Sequence, residues 1–150
     1  MTLMSRKVLI GAMVMAVFLP ALAREDETVE QLVARADSAP VRDRPALYSE
    51  AARRQADAAD KDFADGNVDQ ARAALHDVED YCDRARDAAL QSNKKLKDTE
   101  IAMRKLVHRL HDMNHTLAAE DQPNVQTVID HLEGIRTQLL DRMFKKKGSS

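Results

Sequence analysis

The sequence predicts an all-α protein: an elongated helical bundle, or coiled-coil-like rod, built on one long spine helix. Three observations predict it. Ala, Leu, Arg, Asp, Glu, Gln and Lys dominate the composition, as they do in long helices. No run of β-branched residues alternates in the way a half-buried strand requires. From Val68 to Leu117, a series of positions stepping by three and four without a slip is apolar at all but Ser92 and Thr99, which is the spacing of one helix face.

The N-terminus is the first element to justify. Arg6 and Lys7 precede an unbroken apolar stretch, Val8 to Leu19, and Ala21-Leu22-Ala23 follows Pro20. This is the order of a secretory signal peptide with a small-x-small cleavage site. Twelve apolar residues are too few for a bilayer, which needs about 20. Residues 1–23 are therefore expected to be cleaved after Ala23, leaving 24–150 as a single periplasmic or secreted domain with no stable membrane anchor. No cysteine stands at the cleavage point, so no lipid attachment is expected.

Thr28, with Gln31 three residues on, has the form of a capping box. It opens a short helix over about 28–38, which Pro40 ends. A second helix over about 44–65 tolerates Pro45 in its first turn. Its stripe is mostly alanine (Ala51, Ala52, Ala56, Ala59), so its partner can approach closely. Gly66-Asn67 supplies the stop. The spine helix is expected over about 68–118, roughly 75 Å long at 1.5 Å per residue, a break near Gln91-Ser92-Asn93 being the other reading. Only Ser92 and Thr99 interrupt its apolar register, and no Pro or Gly lies between Gly66 and Pro123. A third apolar column, Ala74, Tyr81 and Ala88, calls for more than one covering helix; the second helix and the short first one fill that role. A return helix over about 122–145, capped by Asp121, should fold back on the far half of the spine. Lys145-Lys146-Lys147 complements the dipole at its end, a membrane-surface patch being the other reading.

Phe63 to Leu75 resembles the inter-helix turn of a tetratricopeptide hairpin, but no second copy stands 34 residues on. The same region through Tyr81-Cys82 resembles the last hairpin of periplasmic four-helix haem cytochromes. Arg86 stands where their iron-ligating histidine would be, and C-x-x-C-H is absent, so no haem is expected.

Loss of Arg6 and Lys7 would take the formal net charge from −2 to −4, which disfavours a nucleic-acid partner. Sparse aromatics and no tryptophan disfavour an aromatic-lined ligand pocket. The lone cysteine, Cys82, falls in the spine's core stripe, with an interchain disulfide as the alternative. Phosphate loops, nucleophile elbows and H-E-x-x-H are all missing, so no enzyme is predicted. The one constellation with ligand chemistry is L-V-H-R-L-H-D-M-N-H, residues 106–115. His111 and His115 stand one turn apart, a spacing that suits Zn, Cu or Ni, with His108 nearby. The register turns all three outward, and His131 should lie on the opposite flank from His111. The predicted function is a non-catalytic binding or scaffolding protein of the cell envelope, acting through helix-face contacts with a protein partner or in a homodimer. The alternative is a metal-binding or metal-sensing protein using the histidine cluster.

Overall fold

The computed structural model describes residues 26–148, the side chain of Lys146 excepted; the expected signal segment lies outside them. Among the described residues there are five helices and no strands: α1 (Val29–Ser38), α2 (Arg44–Ala64), α3 (Val68–Ser92), α4 (Leu96–Thr116) and α5 (Gln122–Lys147). None is long and apolar enough to cross a membrane.

Local chemistry sets several boundaries. Gln31 N donates to Thr28 Oγ1 at 3.2 Å and Thr28 N donates to Gln31 Oε1 at 3.0 Å, so the capping box forms. Gly66, at φ +81°, takes the left-handed conformation after α2. There Asn67 N donates to Asp62 O and Gly66 N to Phe63 O, satisfying the last carbonyls. Asp121 precedes α5 but its side chain makes no cap hydrogen bond.

The spine is not continuous. Asn93 (φ 52°) and Lys95 (φ 62°) are both left-handed, and they divide residues 68–118 into α3 and α4. Left-handed residues cannot continue a right-handed helix, and the chain reverses. Register survives the reversal for a simple reason. A stripe that faces the core before a tight turn faces the same core after it, so Ala89 and Leu96 are both buried.

The result is two antiparallel hairpins, α2–α3 and α4–α5, laid side by side. Contacts along their length fix the directions. Arg109, late in α4, reaches Asp57 and Asp60, late in α2, so these helices run parallel. Arg72 near the start of α3 reaches Asp121 at 3.6 Å, and Arg142 near the end of α5 donates to Leu90 O at 3.2 Å. Helices α3 and α5 are therefore parallel too. The second cover for the wide stripe of α3 is α5, not α1. Helix α1 instead packs on α2, where Tyr48 Oη donates to Asp37 and Arg54 Nη1 to Glu27 O.

Side-chain size differs between the hairpins. Fully buried Ala52, Ala56 and Ala59 of α2 face a stripe on α3 that includes Ala85 and Ala89. The α4–α5 hairpin is filled by Met103, Leu110, Leu132, Ile135 and Leu139. Cys82 is buried in this core, and burial pushes its thiol pKa up; it presents no surface for an interchain disulfide. Glu100 of α4 is buried at 6% exposure, where Arg136 of α5 donates to it at 2.8 Å.

Two substitutions test this packing in urea melts. Ala56→Leu forces volume into the alanine-lined interface of α2 with α3, where Ala56 is fully buried, and should cost about 1–3 kcal/mol. Gly134 is exposed in α5, and an added Cβ there meets nothing within 4 Å. Gly134→Ala should therefore stabilise by about 0.5–1 kcal/mol.

Candidate functional site

Where α2 and α4 run side by side they do not close on each other. A groove of about 460 Å³ lies between them. Ala46, Ser49 and Arg53 give it one stripe of α2, and Lys95, which caps α4, continues into Asp98, Ala102, Lys105 and Arg109 along one stripe of α4. Both sets step by three and four, as one helix face must. Pro45, Ala46, Ala102 and Leu106 make much of the lining apolar, and charged side chains form the rims. One end is closed where Arg109 Nε meets Asp57 Oδ1 at 2.6 Å across the two helices. The other end leads to the α3–α4 turn.

The rim charges are unevenly engaged. Arg53 donates to both Glu50 oxygens, at 2.7 and 2.9 Å, and Arg54 Nε donates to Glu50 at 3.0 Å. The Arg53 hydrogen bonds, aided by Arg54, hold the Glu50 pKa down to about 2 against desolvation. Lys95 lies 3.6 Å from Asp98. Lys105 is exposed and has no ion-pair partner among the described residues. Thr99 Oγ1 donates to Lys95 O, and Ser49 Oγ is buried with no hydrogen-bond partner among the described residues. No histidine or cysteine lines the groove. The arrangement is equipped to bind, through an apolar floor and charged margins.

The predicted ligand residues stand elsewhere. His108, His111 and His115 are exposed on α4, and none of them lines the groove. His131 pairs with Asp83 of α3 at 2.9 Å and does not meet His111. Among the described residues no group of three or more His, Cys, Asp or Glu gathers at one point. Toward the end of α2, Asp57 and Asp60 face Arg109, and Asp65 faces Lys61 at 2.8 Å. The groove residues escaped sequence reasoning because Ala46 and Ala102 become neighbours only once the chain turns back at 93–95. Each half of the stripe, taken alone, reads as helix surface.

The chain matches no family model, and no curated protein or solved structure matches it significantly.

Two measurements follow from this geometry. A carboxylate held below its ordinary pKa lends stability above about pH 4.5 that is lost as pH falls toward 2. Both partners are partly solvated, so Glu50→Gln should remove no more than about 1 kcal/mol of that acid-sensitive stability. Melts taken across this pH window would show it as a flatter acid limb. In calorimetry with Zn, Cu and Ni, the single chain should show only weak, two-ligand heats that His111→Ala/His115→Ala abolishes. Tight stoichiometric uptake would mean that a further ligand joins them.

Proposed function

We propose that this chain is an exported, non-catalytic binding module of the cell envelope, and that the α2–α4 groove receives a protein partner's amphipathic helix. The groove is the observation that carries the reading: an apolar-floored channel between parallel helices, rimmed by charges of both signs. From Lys95 to Arg109 it follows 14 residue steps of α4, about 21 Å at 1.5 Å per residue. That is the length of roughly four helical turns, and a helix laid in such a groove presents anchors at i, i+3, i+4 and i+7. The alanines on the floor let the partner's backbone approach closely. Export rests on Val8–Leu19 and Ala21-Leu22-Ala23, which have the composition of a signal peptide.

A photoreactive amino acid at Ala102 tests the groove directly in cells, with Thr137 on the exposed face of α5 as the control position. Ala102 should give a discrete adduct that Ala46→Arg, which fills the floor, removes while the thermal melt is retained. Equal adducts from both positions would contradict the proposal. An adduct of twice the chain mass would identify the partner as a second copy.

A further inference from the structure

The two ends of the bundle carry opposite charge. At one end the α3–α4 turn brings Lys94, Lys95 and Lys97 together with Arg142, Lys145 and Lys147 from the end of α5. The hydrogen bond from Arg142 to Leu90 O ties these segments to each other. Asp98 and Asp141 are the acids nearest to them in sequence. At the opposite end, Asp62, Asp65 and Asp69 flank the α2–α3 turn, and Glu120 and Asp121 the α4–α5 turn. Charges that nearly cancel over the whole chain are therefore separated lengthwise.

The basic end also projects. Glu100 sits opposite Arg136, so in an antiparallel pair Leu96 is level with about residue 140. The last turns of α5 run past the start of α4. They carry Phe144, 66% exposed and the one exposed large hydrophobic side chain among the described residues.

We propose that this basic tip docks on an anionic phospholipid surface. Phe144 enters the boundary between headgroups and acyl chains, and the surrounding lysines face lipid phosphates. Amphipathic surface binders combine these two features, an aromatic wedge and a lysine-rich surround, and lysine stems keep their ammonium heads at the phosphate level. Repulsion from the acidic end does not defeat the attraction. That end lies about a helix length away, roughly 35 Å by the rise per residue, against a screening length of about 8 Å at physiological ionic strength. Association is end-on and reversible, with the bundle standing off the membrane and the α2–α4 groove facing sideways.

The chain contains no tryptophan, so Phe144→Trp installs a local reporter without other substitution. It is titrated with phosphatidylglycerol/phosphatidylcholine vesicles and with phosphatidylcholine alone. Ala119→Trp, in the α4–α5 turn, serves as the probe of the far end. A blue shift from position 144, on anionic vesicles only and absent at position 119, is the expected result. At about fivefold per lysine near an anionic surface, Lys94→Gln/Lys97→Gln/Lys147→Gln should weaken it about 100-fold. Lys105→Gln, in the groove, should leave it unchanged. Equal shifts at both positions, or no loss in the triple variant, would overturn the proposal. Two other outcomes would reassign the basic end: tighter binding to duplex DNA than to vesicles, or vesicle-free head-to-tail polymerisation that the triple variant abolishes.

Discussion

Reversal of the chain at Asn93–Lys95 is the constraint on which the remaining structure depends. Two non-glycine residues sit in the left-handed region there, a conformation that costs roughly 1–2 kcal/mol per residue, least for asparagine. The surroundings fix it from both sides. Ser92 Oγ donates to Ala88 O and accepts from Lys94 N, which closes α3. Thr99 N and Oγ1 both reach Lys95 O, which opens α4. Leu96, immediately after the link, is buried. A continuous helix would leave the apolar stripes of both halves in need of separate covers. The reversal lets one core serve both.

Two hairpins of unequal girth then have to share a boundary. Alanine faces allow α2 and α3 to pack closely, whereas Met103, Leu110 and Ile135 hold α4 and α5 around larger side chains. A thin hairpin beside a thick one leaves space where the facing residues are smallest, at Ala46 and Ala102, and the groove is found there. Polar ties fix the register around it. Arg136 with buried Glu100 sets α5 against α4, His131 with Asp83 sets α5 against α3, and Arg109 with Asp57 sets α4 against α2. The Glu100 pair is the most consequential, since a buried carboxylate without its partner is strongly unfavourable.

Much of this was legible in the sequence, and the failures have identifiable causes. The capping box at Thr28, the glycine stop at 66, the alanine face of α2, the burial of Cys82 and the outward turn of the three histidines all follow from local spacing. Local rules suffice for them because each depends on residues within a turn or two. The break after Ser92 did not follow, because left-handed Asn and Lys carry no breaker signature comparable to Gly or Pro. The place of Glu100 was equally hidden, since its burial needs Arg136, 36 residues away. The groove and the charged ends are properties of the folded arrangement, assembled from stretches that individually look like ordinary solvated helix.

The reversal can be measured directly by a spin-label distance between Gln70→Cys in the first turn of α3 and Thr116→Cys at the end of α4. Cys82 is buried and leaves the new thiols as the labelling sites. If the chain turns back at 93–95, both labels lie at the same end of the bundle. Packed helices are 8–10 Å apart, so the distance should be about 20 Å, label length aside. An unbroken helix would place them about 70 Å apart, and a distribution centred there would contradict the two-hairpin architecture and the groove built on it.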